Sequence, residues 1–406
     1  MIPKLRLMNK EEVYMRMFLK SCVKSCVKIV KPAILKRIVL LLCVWLSLLS
    51  VTKVEGQSIN QGSDTVEITY PLWSPDGRYL VVTTVEGVWV YETDSLLREP
   101  RPLWVGGAVY FADISPDSRL IVFGIDSGDA VFDLETGAQI AQLSERIFPI
   151  STWFGPDSRT IAIHLGPLLR LWDIDEDTYW IEINHVEQYA FNSDWSQLVT
   201  IGPGVTGEDV IIWELDTIRK TFEEVMRLSL PSPNSSPRFS PNDRLFAFIN
   251  WQTSNITVLD TNTWQDIAVQ NIPFIPCAGM YGGNLAFDSE SNLLALNCDR
   301  AKFIVVWDIT REEVISWQSD SGGVRFSPDS TLLASNSIDV EIDAYVIDLW
   351  DVETQTRRAS FLGRLGNFNT DWSLLATIAP DGNVWIWDVA LQELRIILPL
   401  PVRITN

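Results

Sequence analysis

Trp73-Ser-Pro-Asp-Gly-Arg78 opens a short phrase that continues through the apolar run Tyr79-Leu-Val-Val82 to Val88-Trp-Val-Tyr-Glu92. Its first part is a tight turn. Proline fixes φ at one central position, aspartate bonds its own backbone, and glycine accepts the left-handed conformation that closes the turn. Its last part is an apolar strand that ends in an aromatic residue and an acid. A strand, a turn, a second strand and a third strand are thus set down within about twenty-five residues.

Both parts return along the chain. The turn recurs as Ile114-Ser-Pro-Asp-Ser-Arg119, Phe154-Gly-Pro-Asp-Ser-Arg159, Phe239-Ser-Pro-Asn-Asp-Arg244 and Phe326-Ser-Pro-Asp-Ser330. Weaker copies are Asn192-Ser-Asp-Trp-Ser196, Phe287-Asp-Ser-Glu-Ser291 and Asn369-Thr-Asp-Trp-Ser373. The aromatic-acid strand recurs as Ala130-Val-Phe-Asp133, Leu169-Arg-Leu-Trp-Asp173, Val210-Ile-Ile-Trp-Glu214 and Ile256-Thr-Val-Leu-Asp260. It recurs again as Ile304-Val-Val-Trp-Asp308, Ile347-Asp-Leu-Trp-Asp351 and Val384-Trp-Ile-Trp-Asp388. Each set has eight copies, in phase, with successive turns 38 to 48 residues apart. That period belongs to propeller blades.

Each unit supplies four strands: a before the turn, b after it, c ending in the aromatic-acid pair, and d beyond a polar turn such as Glu135-Thr-Gly137. Strands a and b are nearly all apolar, so both faces of each small sheet need cover. One four-stranded sheet cannot cover itself, and radial stacking solves the problem. The expected fold is all-β, a β-propeller of eight four-stranded blades. Seven blades plus a decayed unit is the alternative. Strand a begins as early as Val66 and the last strand d covers Arg395–Pro399, so each blade is expected from contiguous sequence, with closure by a strand from 57–65 left open.

The repeats resemble the WD-repeat family over residues 64–400. The Trp-Asp pair is literal at Trp172-Asp173, Trp307-Asp308, Trp350-Asp351 and Trp387-Asp388. The family's Gly-His pair is missing, because the chain has two histidines, His164 and His185. A divergent, bacterial-type member fits better, and the Ser-Pro-Asp-Gly-Arg turns also look like those of TolB-type propellers. The resemblance implies a non-catalytic scaffold for protein–protein or protein–ligand contact.

Charge divides the 406-residue chain. Residues 1–56 hold 11 Lys/Arg against 3 Asp/Glu, and the remainder holds 21 against 49. Residues 1–37 are basic, and Ile38–Val51 is an apolar run of 14 residues, short for a spanning helix and suited to the core of a secretory signal. Val54 and Gly56 frame a cleavage before Gln57; the other reading is an uncleaved membrane anchor. Export to the periplasm, the cell envelope or the medium is expected. The division is therefore 1–56 as signal or anchor, 57–63 as a short linker and 64–402 as the propeller. The acidic body disfavours nucleic acid and anionic lipid, leaving the N-terminal segment as the membrane contact. No cofactor or metal is expected. Two histidines give no multi-His site, and Asp173-Ile-Asp-Glu-Asp177 lacks the glycine and the distal glutamate of a calcium loop.

Variation gathers on the face of the d–a and b–c loops, and the long stretches Ile201–Asp209, Ser337–Tyr345, Leu230–Pro237 and Asn271–Gly283 point there. Aromatic candidates for a partner-binding face are Trp104, Tyr110, Phe148, Tyr189, Trp251, Tyr281 and Trp317. Acidic candidates are Glu208, Asp209, Asp339, Glu341 and Asp343, which would favour a cationic partner. Trp172, Trp213, Trp307, Trp350 and Trp387 share one strand position and read as core. Cys277 and Cys298 flank the first two strands of the sixth unit on one face; they pair as a disulfide or stay as two buried thiols. No G-x-S-x-G, phosphate-cradling glycine loop or metal cluster is present, so catalytic residues are not assigned. Other readings are a hydrolase acting on glycans or peptides through central carboxylates, and a structural component of a cell-envelope assembly.

Overall fold

A computed structural model describes residues 68–398, apart from residue 127 and the stretches 144–150, 205–206, 231–233, 251–254, 272–284, 299–302, 319–320 and 340–341. These residues form eight four-stranded antiparallel sheets. In every sheet the four strands lie side by side in chain order, so no blade borrows a strand from another. Strands a are Ile68–Trp73, Ala112–Ile114, Ser151–Phe154, Gln188–Phe191, Asn234–Phe239, Leu285–Phe287, Ser321–Phe326 and Arg364–Phe368. Strands a of neighbouring blades touch at six of the eight junctions, and that of blade 1 meets the first two strands of blade 8. The result is an eight-bladed propeller, as the repeats predict, and the seven-blade alternative falls.

The core follows from the stacking. Eight apolar clusters lie at the eight blade junctions. One joins Val81, Val88 and Val90 of blade 1 to Ile121 and Phe123 of blade 2. Another joins Leu80, Val82 and Trp89 of blade 1 to Ala376, Val384 and Ile386 of blade 8. Strands b are buried along almost their whole length, as in Thr160–Leu165, because both faces meet a neighbour.

The turns between strands a and b form a continuous hoop. The fourth residue of each turn is left-handed: Gly77, Ser118, Ser158, Trp195, Asp243, Ser291, Ser330 and Trp372 all have φ between 56° and 74°. Its side chain reaches back to the preceding turn. Asp76 N donates to Ser118 Oγ (2.9 Å), Asp117 N to Ser158 Oγ (3.1 Å), Ser193 N to Asp243 Oδ1 (2.8 Å), Asn242 N to Ser291 Oγ (3.3 Å) and Ser289 N to Ser330 Oγ (3.1 Å). Gly77 has no side chain to offer, and there Thr370 Oγ1 of blade 8 donates to Pro75 O instead (2.6 Å). At the two remaining junctions an indole does the work. Trp195 stacks on Phe191 and Trp372 on Phe368, with ring centroids 4.1 and 4.0 Å apart. A Cβ on Gly155 would meet the Trp195 ring at 3.1 Å, so the glycine makes room for that indole.

The hoop shifts the two weakest repeats by one residue. Asn192 N and Asn369 N donate to the carbonyls of Gln197 and Leu374, as Ser74 N does to that of Tyr79. Asn192 and Asn369 therefore stand where Ser74 stands, and Phe191 and Phe368 are the matching strand ends.

In six units the acid of the aromatic-acid pair caps the next turn locally, and in blade 4 Asp216, two residues beyond Glu214, takes that place. Asp133 Oδ1 accepts from Glu135 N (3.1 Å), Thr136 N (2.8 Å) and Thr136 Oγ1 (2.9 Å); Asp260 does the same for Asn262 and Thr263. The partner tryptophans divide. Trp172 and Trp307 are buried in the core, but Trp213, Trp350 and Trp387 are half-buried. The exposed edge is stabilised by a hydroxyl: Trp213 Nε1 donates to Thr200 Oγ1 (2.8 Å), Trp350 Nε1 to Ser335 Oγ (2.9 Å) and Trp387 Nε1 to Thr377 Oγ1 (2.9 Å). In six blades the c–d pairing slips by one residue immediately before this aromatic position, which twists the outer strand away.

Candidate functional site

The eight strands a surround the axis of the ring. Side chains alternate along a strand. The strand-end aromatic or aliphatic residue turns into a blade junction. The residues before it are Leu72, Asp113, Trp153, Ala190, Arg238, Ala286, Arg325 and Asn367, one per blade. Ala190 is buried at the junction of blades 4 and 5, whereas Leu72, Asp113, Trp153, Ala286, Arg325 and Asn367 line cavities. Trp153 is 52% exposed, and Arg238 and Arg325 are exposed as well.

Two cavities meet beside these residues. One, of about 650 Å3, is lined by Tyr70, Tyr110, Asp113, Trp153, Arg325 and Asn367 among others. The other, of about 530 Å3, opens among the a–b turns and is lined by Pro75, Pro241, Pro328, Phe287, Trp372 and Arg325. Arg325, Trp73, Pro75 and Asn367 border both, so the two cavities adjoin, and these residues form the waist of one channel.

Tyr70 and Tyr110 are 41% and 48% exposed beside Trp153. Tyr110 is oriented by a bond from its hydroxyl to Asp126 Oδ1 (2.6 Å), which also holds the phenol pKa above its ordinary value. Asp113 Oδ2 accepts from Phe154 N of the next blade (2.8 Å). Burial pushes the Asp113 carboxyl up to about 6, against the pull of the Phe154 and Ile114 amides. Behind it Asp129, 3% exposed, accepts from Thr152 Oγ1 through one oxygen (3.1 Å), and burial pushes its carboxyl up to about 7. Asp129 lies on strand c and does not line the channel.

Among the described residues the loop-face candidates do not come together. Of them Tyr110 alone lines the 650 Å3 cavity among the described residues. Trp317 is a correction: it is 9% exposed in the core between blades 6 and 7, 5.9 Å from Trp350, and is no surface anchor. Trp104 is half-buried against Phe123 at 5.8 Å. Tyr189 belongs to strand a of blade 4, wedged edge-on to His164 and Phe191, its hydroxyl 3.1 Å from Ser151 Oγ. Phe148, Trp251, Tyr281, Glu341 and Cys277 lie outside the described residues, as does the side chain of Cys298.

The acidic candidates are spread over blades 4 and 7. Asp209 is neutralised in place, accepting from Arg227 Nη1 (2.8 Å) and Ser229 Oγ (2.8 Å); the bond from Arg227 chiefly holds its carboxyl below the usual range. It borders a cleft of about 290 Å3 between blades 3 and 4 with Arg227, His185 and Trp213. Glu208 pairs with Pro203 across the same hairpin. Asp339 ends strand b of blade 7, and exposed Asp343 sits in its turn with φ 52°.

Two of the expected long loops are a second correction. Gly202 and Pro203 pair with Asp209 and Glu208, and Ile338 and Asp339 with Tyr345 and Ala344. The extra residues lengthen hairpin strands, their backbones continuing the antiparallel pairing past the usual strand end. Gly202 permits this extension, since a Cβ there would meet the carbonyl oxygen of His185. The stretch Leu230–Pro237 is likewise mostly strand, its outer strand ending at Leu230 and the next beginning at Asn234.

Asp173, at the head of the calcium-like stretch, is fully buried. It accepts from Glu176 N (3.0 Å) and is paired with Arg159 (3.1 Å) and with Lys220 of the next blade (3.1 Å). No group of acidic, histidine or cysteine residues among the described residues is arranged to hold a metal ion.

Sequence reasoning missed Trp153, Arg238, Arg325 and Tyr70. For Trp153, Arg238 and Arg325 the available signal was a bulky aromatic or charged residue at the place two before the turn; Tyr70, four before its turn, carried no such signal.

No protein-family model and no curated protein matches the chain. Solved structures do. One described as the mitotic checkpoint complex is similar with a TM-score of 0.51 and 15% identity, over 69% of this chain and 90% of that one. Another, described as the eukaryotic initiation factor, is similar with a TM-score of 0.56 and 13% identity, over 87% of this chain and 93% of that one. With 1529 chains of known structure matching, the likeness identifies a widely used architecture, and at these identities it shows the fold alone.

Proposed function

We propose that the chain is an exported, non-catalytic propeller that binds a protein or ligand partner at one mouth of its central channel. The observation that carries this reading is the trio Tyr70, Tyr110 and Trp153, left 41–52% exposed around a single open cavity. Aromatic side chains that face water beside a concave site are the usual anchors of recognition. The structural neighbours, one of them described as a complex, agree with a scaffold. A glycan hydrolase would use two carboxyl groups across the scissile bond; among the described residues Asp113 is the carboxyl that lines the cavity. Export rests on the basic and apolar character of residues 1–56, and the acidic body favours partners of positive net charge at long range.

The test is affinity capture from cell-envelope extract with the full chain as bait, beside a Trp153→Ala/Tyr110→Ala variant. Recovery of a specific partner is expected to fall about tenfold or more in the variant. Undiminished recovery would remove the channel mouth as the binding surface. N-terminal sequencing of the mature protein is expected to start at Gln57; a start at the initiating methionine would favour an anchor.

A further inference from the structure

Two arginines stand at equivalent places on strands a, Arg238 in blade 5 and Arg325 in blade 7, and Arg325 borders both cavities of the channel. Elsewhere arginines of this acidic chain find carboxylates: Arg78 with Asp76, Arg119 with Asp133, Arg170 with Glu182, and Arg227 with Asp209 and Glu224. Arg238 and Arg325 make no ion pair with any described residue. Arg238 donates to its neighbour's carbonyl, Pro237 O (3.2 Å), and Arg325 lies over the face of Trp372 at 5.9 Å. Crowding by the surrounding strands pushes both guanidinium groups below the ordinary arginine value, although both side chains still reach water. The acid at the equivalent place, Asp113, is committed to Phe154 N.

A guanidinium accepts a carboxylate through two parallel bonds. Arg325 borders the cavity of about 650 Å3 together with Trp153, Tyr70, Tyr110 and the amide side chain of Asn367. That volume suits a small organic molecule. The net charge of -20 repels polyanions, so the fitting ligand has one anionic group on an apolar body.

We propose that the channel waist binds the carboxylate of a small aromatic or apolar acid, with Arg325 on the carboxylate and Trp153, Tyr70 and Tyr110 on its apolar body. This deepens, and rests on, the reading of the channel mouth as a binding surface. A free acid and the C-terminal carboxylate of a peptide share this chemistry.

Ligand-observed NMR titration of the full chain separates the sources. The probes are phenylacetate and acetyl-Gly-Gly-Phe, each beside its amide. At least one carboxylate is expected to bind about tenfold more tightly than its amide. Binding of phenylacetate assigns a free acid, and binding of the peptide alone assigns a chain terminus; both support the site. Arg325→Met should abolish the preference, Arg325→Lys should keep part of it, and Asp113→Asn should strengthen it. Melting temperatures of the variants establish that they fold. Equal binding of acids and amides, or a preference that survives Arg325→Met in a folded variant, overturns the proposal. If that happens while Trp153→Ala/Tyr110→Ala still abolishes partner capture, the broader reading stands.

Discussion

At Trp307 the indole N–H is buried without a hydrogen-bond partner, whereas at Trp350 the same group meets Ser335 Oγ. The difference lies in one residue of strand b, two places beyond the tryptophan's cross-strand partner. It is Ser335 in blade 7 and Leu296 in blade 6. Removing an orphaned N–H relieves a cost, while removing a bonded one strands a hydroxyl. Trp307→Phe is therefore expected to cost about 1 kcal/mol less than Trp350→Phe, measured by chemical denaturation. Asp129 offers a second single-residue test. Its folded pKa, about 7, lies above the ordinary 3.8. Between these values the folded chain holds a proton that the unfolded chain has released, so this group's contribution to stability falls as pH rises across that window. Asp129→Asn keeps an acceptor for Thr152 and removes the titration. The variant should gain stability relative to the native chain across the same window and level off above it, by about 1.4 kcal/mol per unit of displacement. An unchanged difference at all pH values would mean that Asp129 is not held protonated.

At the scale of the turn, each left-handed residue carries two opposed effects. A non-glycine residue there costs about 1 kcal/mol of backbone energy, and the bond from its side chain to the neighbouring turn returns a similar amount. Ser118→Ala keeps the first and loses the second, so it should destabilise by about 1 kcal/mol or more. Ser118→Gly loses both and should lie close to neutral. Thermal denaturation of the pair decides: an unchanged Ser118→Ala would show that the bond to Asp76 N contributes nothing, and equal losses would show that the left-handed backbone carries no cost. These elements were legible because their signals are local. Proline, an acid that bonds its own turn, and a paired aromatic and acid report strand ends without knowledge of the rest of the chain. The hairpins at Pro203–Glu208 and Asp339–Ala344 were not legible, since glycine, proline and acids are as common in loops as in long strand ends. The channel residues escaped for a different reason. Trp153 and Arg325 line a channel only because eight blades close around it, and closure is not a local property.

At the scale of the whole molecule, charge and packing separate cleanly. Asp260, Asp308 and Asp351 hold backbone amides in the turns after strands c, while Arg238 and Arg325 stand on strands a and Arg325 borders the channel. Stability is shared among eight similar junctions, so no single blade carries the fold. The junction between blades 8 and 1 differs from the others in one respect: no covalent connection crosses it. It rests on the apolar contact that includes Trp89, Val384 and Ile386, on Trp73 Nε1 donating to Asn367 O (3.0 Å) and on Thr370 Oγ1 donating to Pro75 O. Since every blade keeps its own four strands, tension applied between the two ends of the chain shears this seam and unzips no sheet. Stretched in single-molecule force spectroscopy, the molecule is expected to give way there first, opening like a clasp at one weak step before the blades extend in turn. Trp73→Phe should lower the force of that first step and leave the later ones unchanged.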